Sequence, residues 1–446
     1  MNIVGKIAII LLLSLNFSIP AFAQIKIGGA FQTDNRVRLQ QDYRFTWNEN
    51  RLTLKGETNL SQKAHFFTKL WIRNFGFPTA QSPKQLGYRD RREVEPWSWE
   101  LREGYLDLYG FLTQNLDVRI GKQRIAWGTA DKINPTDNLN PKDLEDPLDF
   151  GKKLPTNALK LSYYLGDYTL TGVFIPVFIP AVLPPPDWSF SSGETPPLPP
   201  GTTVKKITNL VKLPDRKLKT TSSAGFRLSG NLFNYDVSVS YVSNRWDMPL
   251  CNAVSIKTDG QTSVDVSNQL IFPRQQIVGA DLAGQLLGVG IWGEAAAFLP
   301  EKVITTLIQP QGQISHQVSI DHKAYVKYVL GGDYTFKNGI YINGQLIHGF
   351  YGEEGKDNLN DYATLAVEKK FLNDDLKLRI ATAVEVHDWN NLRENYATVL
   401  FPEISYYPTD AVELLLGTYS IEGKKNTVFG NFRNNDEFYV KAKVSF

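Results

Sequence analysis

Cysteine, methionine and long apolar runs are scarce in this sequence. The 446 residues contain one cysteine, Cys251, and two methionines, so an internal disulfide is excluded and stability must come from another source. Beyond the amino-terminal segment, no apolar run reaches the ~18 residues that a membrane-spanning helix needs. The net charge of +2 is too small to indicate a nucleic-acid partner. The sequence therefore excludes a disulfide-stabilised domain and a membrane protein built from helices.

Aromatic residues are abundant by comparison. The chain has 25 Phe, 20 Tyr and 9 Trp, which make up 12% of it, while the mean hydropathy is only −0.26. Strands of a membrane barrel alternate lipid-facing apolar residues with polar residues that face a wet lumen, so their average is mildly polar. Aromatic rings near strand ends, such as Trp47, Trp71, Trp97, Tyr109 and Tyr406, fit the interfacial girdles of such a barrel.

The amino terminus has the pattern of a secretory signal peptide. A short basic segment precedes a mostly apolar core at residues 7–19, and an A-x-A cleavage site follows at residues 21–23. We expect residues 1–23 to be removed, so that the mature chain begins at Gln24. A membrane-anchoring helix is the alternative, which the short apolar core and Pro20 disfavour. This segment predicts export from the cytoplasm.

The last eleven residues, 436–446, alternate between two faces as a strand does. One face is apolar and consists of Phe438, Val440, Ala442, Val444 and Phe446. The pattern resembles the closing strand of bacterial outer-membrane β-barrels, whose assembly machinery reads a terminal Phe or Trp. The resemblance implies that Phe446, Val444 and Phe438 form an assembly signal, and that this machinery, outer-membrane lipid and lipopolysaccharide are partners.

Eighteen segments with strand character follow one another along the chain. They lie near residues 25–33, 50–60, 63–74, 98–109, 115–125, 157–165, 167–175, 220–231, 233–244, 275–286, 288–299, 322–336, 339–350, 361–371, 376–387, 396–407, 410–421 and 436–446. Short turns and long connections alternate between them, as in outer-membrane barrels. The sequence therefore predicts an all-β fold: residues 24–446 form one transmembrane antiparallel up-and-down barrel of about 18 strands, with 16 as the alternative.

Short turns in this barrel are expected on the periplasmic side and long loops outside the cell, in the outer membrane of a Gram-negative bacterium. The first predicted strand should pair with the last and close the ring, because a closed barrel leaves no sheet edge in the membrane. The segment 98–109 fits less well, since Glu103 and Asp107 share a face with Trp99. We expect a bulge there or a different register.

Charged residues on the strands should face the lumen, because a charge that faces lipid at mid-depth costs ~2–4 kcal/mol. Basic and acidic rows on a lumen wall create a transverse field that filters small polar solutes. Simple solvation of the wall is the plainer interpretation. The candidates for lining or constricting the pore are Lys55, Arg73, Arg102, Arg119, Lys122, Arg124, Asp131, Asp137, Asp143, Arg379 and Glu385.

The most specific motif lies between Gly121 and Asp143. It reads G-K-Q-R-I-A-W-G and continues into two N-P-x-D turns, at residues 134–137 and 140–143. A strand that ends this way before an Asp/Asn-Pro loop resembles uncharacterised porin-like proteins, including the DUF1302-type and alginate-export-like barrels. The resemblance implies a porin-type barrel, and one expectation from it is that the loop at residues 126–156 folds into the lumen as a constriction.

Two further interpretations of this loop remain open. One is a structural turn cap on the barrel. The other is a calcium site with oxygen ligands, although the spacing matches no EF-hand. The weak calcium candidates are Asp131, Asn134, Asp137 and Asp143. We expect no other metal site.

A second distinctive connection lies at residues 176–219. Ten of the 24 prolines fall between Pro176 and Pro214. Proline cannot donate a hydrogen bond to a sheet, so the segment is predicted to be a stiff loop without a strand. It is either a lid that folds over the lumen or a surface loop.

The sequence predicts a passive channel for small polar or anionic solutes. The alternatives are a selective, loop-gated exporter or uptake channel for polysaccharide or hydrophobic compounds, and a barrel-anchored surface structural protein. None of the five histidines lies in a recognisable catalytic motif, so we expect neither an enzyme nor a cofactor. A homotrimer is a further expectation.

Overall fold

The computed structural model describes residues 24–40, 42–189, 202–258 and 263–446. The expected signal peptide, residues 1–23, lies outside the described residues, as does the 190–201 part of the proline-rich connection.

The described residues form 23 strands, numbered along the chain. They are β1 (Lys26–Arg38), β2 (Phe45–Ser61), β3 (Ala64–Phe75), β4 (Trp97–Leu108), β5 (Leu116–Gln123), β6 (Thr156–Leu165), β7 (Tyr168–Ile175), β8 (Thr203–Val211), β9 (Ser223–Leu232), β10 (Tyr235–Arg245), β11 (Leu250–Thr258), β12 (Ser263–Ile271), β13 (Arg274–Leu286), β14 (Val289–Pro300), β15 (Val303–Ile308), β16 (Ile314–Ile320), β17 (Tyr325–Thr335), β18 (Tyr341–His348), β19 (Asp361–Phe371), β20 (Leu376–Val386), β21 (Tyr396–Thr409), β22 (Val412–Gly423) and β23 (Glu437–Ser445).

Within the described residues, the helical segments are short and lie in the connections. Two are α-helical, Arg91–Val94 and Leu218–Thr221, and five are 3₁₀ turns, at Pro83–Leu86, Tyr88–Asp90, Pro186–Trp188, Trp389–Glu394 and Phe429–Phe432. No helix within the described residues has the length and apolar character needed to cross a membrane.

Eighteen of the strands form one antiparallel sheet that closes on itself. Each strand pairs with the next one in the ring, and β1 pairs with β23 from Ala30↔Ser445 to Arg38↔Glu437. The predicted 18-strand barrel is thereby confirmed, as is its closure by the first and last strands. The backbone of Phe446 continues the seam, since its N–H donates to Gly29 O at 3.0 Å and its carbonyl accepts from Gly29 N at 2.8 Å.

The two faces of the wall follow the alternation in the sequence. On β1, Ile27 and Phe31 are exposed on the outside, whereas Asp34, Arg36 and Arg38 are buried inside. A one-residue slip would exchange these faces, so the charges themselves specify the register. The apolar face predicted for the last strand is likewise on the outside.

The irregularity expected in β4 is a bulge. Lys69 of β3 pairs with Glu103, but the neighbouring Leu70 pairs with Leu101, so Arg102 is an extra residue on β4. The extra residue changes the alternation. Trp99 and Leu101 are exposed above the bulge, while Asp107 is buried below it.

The interfacial position predicted for Trp47 and Trp71 is wrong. Both indoles are buried, with 7% and 8% of their surface exposed, and they pack against arginines inside the barrel. Trp47 lies on the same face of its strand as Glu49 and Arg51. Because those charged side chains face the lumen, the indole of Trp47 faces the lumen as well.

The prediction that residues 176–219 contain no strand is also wrong. β8 lies after the proline cluster and before Pro214, so no proline interrupts its ladder. It belongs to a second sheet, in the order β16-β15-β11-β12-β8, whose strands come from three long connections. None of these connections supplies more than two described strands, and an isolated two-stranded hairpin is only marginally stable.

Candidate functional site

The connection between β5 and β6, residues 124–155, turns into the barrel and is called the inner loop below. Asn140 holds its two ends together. Its Oδ1 accepts from Ile125 N at 2.7 Å, and its Nδ2 donates to Leu154 O at 3.0 Å and to Thr156 Oγ1 at 3.1 Å. The guanidinium of Arg124 bonds the Asp137 carboxylate. The two Asn-Pro turns therefore build a structured loop.

Three arginines of the barrel wall bind three carboxylates of the inner loop. On β1, Arg36 pairs with Asp146 at 2.7 Å. The other two pairs are Arg73 of β3 with Glu145 at 2.9 Å and Arg102 of β4 with Asp143 at 2.8 Å. The strands β1, β3 and β4 are called the anchoring wall because this row of ion pairs fixes the loop to them.

Arg36 is the most enclosed member of the row. Its side chain is 1% exposed and forms two hydrogen bonds with Asp34 and two with Asp146, all between 2.7 and 3.0 Å. Burial alone would raise the pKa of Asp146, but the charge and hydrogen bonds of Arg36 hold it well below its ordinary value. The guanidinium also lies 4.7 Å from the ring centroid of Trp47.

The inner loop reaches other strands as well. Asp131 N donates to Gln345 Oε1 of β18 at 3.0 Å. Thr136 donates to Glu294 of β14 at 2.5 Å. Lys142 pairs with Asp247, which follows β10, at 2.6 Å. The loop thus crosses the lumen and contacts the wall at several points around the ring.

One buried cation stabilises the interior of the loop. The Lys153 ammonium donates to Asp137 O at 2.9 Å. Burial lowers the pKa of Lys153 to about 8, and the nearby Asp137 opposes this shift. Asp247 is also buried, and burial alone would raise the pKa of its carboxyl. The ammonium of Lys142 instead keeps that pKa below its ordinary value.

The segment 176–189, called the lid below, covers the long-loop end of the barrel. It leaves β7, and its Val182 exchanges backbone hydrogen bonds with residues 142 and 144 of the inner loop. Trp188 then packs against Tyr419 of β22 and against Phe432. Between β7 and β22 lie seven strands one way round the ring and nine the other, so the lid reaches almost the opposite wall.

Three cavities lie in series beside these segments. A mouth cavity of about 280 Å³ lies under the lid between the ends of β1, β2 and β23. An aromatic cavity of about 70 Å³ shares Pro147 and Trp188 with it. A lumen cavity of about 330 Å³ shares Phe150, Phe401 and Tyr419 with the aromatic one.

The lumen cavity lies between the inner loop and strands β18–β23, which are called the cavity wall. Of the predicted pore residues, Asp131 and Arg379 line it. Arg379 pairs with Glu368 and with Glu403, both at 2.9 Å. The side chain of Arg379 is 30% exposed, so it remains accessible to a solute.

The other predicted pore residues have different positions. Arg73, Arg102 and Asp143 belong to the row of ion pairs, and Arg124 and Asp137 pair within the inner loop. Arg119 pairs with Asp107, Lys122 donates to Leu101 O, and Lys55 is exposed on β2.

Glu385, also predicted to line the pore, is fully buried. Its carboxylate accepts hydrogen bonds from Val428 N at 2.6 Å and Phe429 N at 2.7 Å. It therefore holds the connection between β22 and β23 against the wall.

The four oxygen donors considered for calcium are not brought together. Asp137 and Asp143 bind arginines, and Asn134 donates to Ala130 O. Throughout the described ranges, no group of three or more His, Cys, Asp or Glu side chains is arranged to hold a metal ion.

Sequence reasoning missed several residues of the site, among them Arg36, Arg38 and Asp187. The first predicted strand ended at residue 33, whereas β1 continues to Arg38. The available signal was the sequence D-N-R-V-R at residues 34–38. Its charged residues occupy every second position and therefore continue the inward face of the strand.

Comparison with known proteins locates this architecture among porins. A family model described as "Protein of unknown function (DUF1302)" matches residues 23–364. No curated protein matches the chain. The crystal structure of Pseudomonas aeruginosa OpdK with vanillate has 8% identity over 95% of this chain and 98% of its own, with a TM-score of 0.51.

Two further solved structures are similar over the same shares of both chains. An improved crystal structure of Pseudomonas aeruginosa OccK1 (OpdK) has 7% identity and a TM-score of 0.50. The Salmonella typhi OmpF complex with daunomycin has 8% identity and a TM-score of 0.42. At these identities the likeness to the two OpdK structures shows the fold alone.

Proposed function

Since the chain belongs to the DUF1302 family of proteins of unknown function and folds as a porin-type barrel, we propose that it is an outer-membrane channel for small solutes. The observation that carries the proposal is the inner loop, which is fastened across the lumen and leaves a cavity of about 330 Å³ beside the cavity wall. An 18-strand barrel is too wide for wall side chains alone to fill, so such a loop sets the width of the channel.

The opposed charges around the lumen cavity support a channel for small polar or anionic solutes. Arg379 and Lys441 line it together with Glu368 and Glu403. Opposite charges at a constriction replace part of the hydration of a passing solute and select by charge. Asp131 lines the same cavity from the side of the inner loop.

The aromatic cavity favours a second candidate, a channel gated by the lid for solutes with an apolar part. Its lining includes Phe150, Trp188, Phe350, Phe401 and Phe429. A polar solute gains little from these rings, whereas an apolar body is stabilised by burial against them. The lid contributes Trp188, so lid movement would change the width of this cavity.

Conductance in planar bilayers tests the channel. In the triple variant Asp143→Asn, Glu145→Gln and Asp146→Asn, the inner loop loses its three ion pairs with the anchoring wall, and single-channel conductance should rise. A matched control replaces three exposed carboxylates away from the lumen, Asp357→Asn, Asp374→Asn and Asp375→Asn, and should conduct like the wild type.

The other outcomes separate the alternatives. Large conductance that the triple variant leaves unchanged would mean that the inner loop does not set the pore. No conductance in any form would favour the surface structural protein. Liposome swelling with sugars, carboxylates and oligosaccharides then identifies the permeant class, and faster entry of apolar solutes in Trp188→Ala would favour the lid-gated channel.

The proposal assigns no catalytic activity and no cofactor. The histidines contact carboxylates, an amide, a backbone carbonyl or a threonine, and within the described chain these contacts include no serine or cysteine nucleophile. A homotrimer and recognition by the barrel-assembly machinery remain parts of the proposal. Light scattering of the detergent-solubilised barrel measures the oligomeric state.

A further inference from the structure

The lumen cavity is lined by charges of both signs in equal number. Its acidic lining residues are Asp131, Glu368 and Glu403, and its basic ones are Lys132, Arg379 and Lys441. A solute with a single charge therefore meets as many groups of its own sign as of the opposite sign. A solute that carries both charges can instead place each of them beside a group of opposite sign.

Three of these groups form a row at one level of the wall, called the charge belt below. Glu368 of β19 is the direct cross-strand partner of Arg379 on β20, and Arg379 is the direct partner of Glu403 on β21. Neighbouring strands of a sheet lie about 4.8 Å apart. The sign of the charge therefore alternates over a distance that a short molecule with two charged ends can span.

The side chains of the charge belt are accessible from the cavity. The exposed fractions are 27% for Glu368, 30% for Arg379 and 20% for Glu403. Lys441 of β23 is 25% exposed, whereas Arg36 of the anchoring wall is 1% exposed. Because a partly hydrated ion pair contributes little to stability, the groups of the belt can exchange a partner for a solute.

Arg379 has donor capacity beyond its contacts within the belt. Its Nε lies 2.9 Å from Glu368 Oε1, and its Nη1 donates to Glu403 Oε2 at 2.9 Å. Among the described residues, neither contact uses Nη2, so this nitrogen can donate to the carboxylate of a solute. Lys441 contributes a second positive charge to the same cavity.

Glu368 is the carboxylate that remains for an ammonium group. Among the described residues it has one ionic partner, whereas Glu403 also accepts a hydrogen bond from the Tyr439 hydroxyl at 2.8 Å. Tyr341, the direct cross-strand partner of Glu368 on β18, lines the same cavity. Its hydroxyl donates to Asp333 at 2.9 Å, so the hydroxyl oxygen can accept a hydrogen bond from an ammonium group.

We propose that the lumen cavity binds a small zwitterion, a short amino acid whose carboxylate pairs with Arg379 and whose ammonium pairs with Glu368. This inference rests on the proposed channel and names its substrate class. Phe150 of the inner loop and Phe401 of β21 line the same cavity and provide apolar surface for the carbon chain. The cavity of about 330 Å³ falls within the ~300–1,000 Å³ range of small-molecule sites.

Isothermal titration of the full barrel in detergent tests the site without any measurement of transport. The probe is β-alanine, which carries an ammonium and a carboxylate at the two ends of a short chain. Propionate has the carboxylate without the ammonium, and propylamine has the ammonium without the carboxylate. The zwitterion should bind saturably, and each analogue should bind at least about fivefold more weakly, because it lacks one of the two ionic contacts.

Two variants test which group meets which end of the solute. Arg379→Gln should weaken the binding of β-alanine and of propionate about fivefold each. Glu368→Gln should weaken β-alanine by a similar factor but strengthen propionate, because a carboxylate that repels the anion is removed. Opposite responses of the two ligands are not expected from structural damage alone.

A matched control lies outside the lumen cavity. Glu394 is a glutamate of the 389–394 turn whose side chain is 66% exposed, and Glu394→Gln should bind all three ligands like the wild type. Heat-modifiable gel mobility verifies that each variant is folded.

Several results would overturn the proposal. These are equal binding of β-alanine and either analogue, wild-type affinity for β-alanine in folded Arg379→Gln or Glu368→Gln, weaker propionate binding in Glu368→Gln, or no saturable binding at all. Tighter binding of an uncharged sugar than of β-alanine would also overturn it, in favour of a neutral solute. Conductance without β-alanine binding removes this inference alone, whereas binding without conductance removes the proposed channel.

Discussion

The anchoring wall and the cavity wall both carry arginines, but the two walls use them differently. On the anchoring wall, the Arg36 and Arg73 side chains are 1% and 5% exposed and bind carboxylates of the inner loop. On the cavity wall, Arg379 is 30% exposed and pairs with Glu368 and Glu403 of the same wall.

This difference has a physical consequence. A buried ion pair is costly to break, because the partner that remains is an uncompensated charge. A partly hydrated pair is worth little and can exchange its partner for water or a solute. From this comparison we propose that wall charges hold the loop on one side of the lumen and meet the solute on the other.

The largest expected effect is at the pairing of β1 with β23, which closes the barrel and so holds both walls in place. Without Phe446, the chain should largely fail to insert as a closed barrel, because the terminal aromatic residue is the predicted assembly signal. Heat-resistant migration of outer-membrane fractions on a gel measures this. Phe446→Trp keeps an aromatic terminus and should insert normally, and equal insertion of the shortened chain would refute the signal.

The next effect is the loss of one anchor. Arg36→Met leaves Asp146 and Asp34 without their main counter-charge, which should cost about 3–5 kcal/mol of unfolding free energy and raise the conductance. Arg379→Met on the cavity wall should cost about 1 kcal/mol or less. Urea-unfolding midpoints of both variants test the comparison, and equal losses would contradict it.

Acid should weaken the anchoring wall selectively. The pKa of Asp146 is lower in the folded protein than the ~3.9 of a free aspartate. Its contribution to stability is therefore complete above that value and declines as the pH falls towards the folded pKa. Unfolding midpoints at pH 7, 4 and 3 measure the decline. Asp146→Asn should show a smaller decline over the same range, and an identical decline would assign the acid sensitivity to other groups.

The smallest expected effect concerns selectivity alone. Arg379→Gln should make the channel less favourable to anions and shift the reversal potential in a KCl gradient towards the cation side, with little change in stability. Arg119→Gln removes an arginine that pairs with Asp107 away from the lumen cavity. It should leave the reversal potential unchanged, and a shift of the same size would show that the lumen cavity is not selective.

Much of the barrel was predictable because its pattern is local. Alternation of apolar and charged residues along one strand indicates which side chains face inward, and alternating connection lengths indicate how strands pair. The same alternation indicates that Trp47 faces inward, because it lies on the strand face of Glu49 and Arg51. The strand β8 was missed because its partners come from other connections, far along the chain.

The candidate site was predictable only in part. The inner loop and several of its charges were identified, but the sequence did not indicate that Glu385 and Asp143 are buried and hold connections in place. Arg38 was missed because β1 is longer than predicted. Whether a residue is buried depends on which loop covers it, and the alternation of residues along one strand does not indicate that.

The sequence by itself determined a barrel of about eighteen strands, its closure by the first and last strands, and which charges face inward, because each follows from patterns within neighbouring segments. Only the tertiary structure decided what those charges do. Arg36 and Asp146 are 110 residues apart in the chain, and the lid joins β7 to β22 across the barrel. Such pairings arise when separate connections fill one lumen. They divide its wall into a side that anchors the inner loop and a side that lines the lumen cavity.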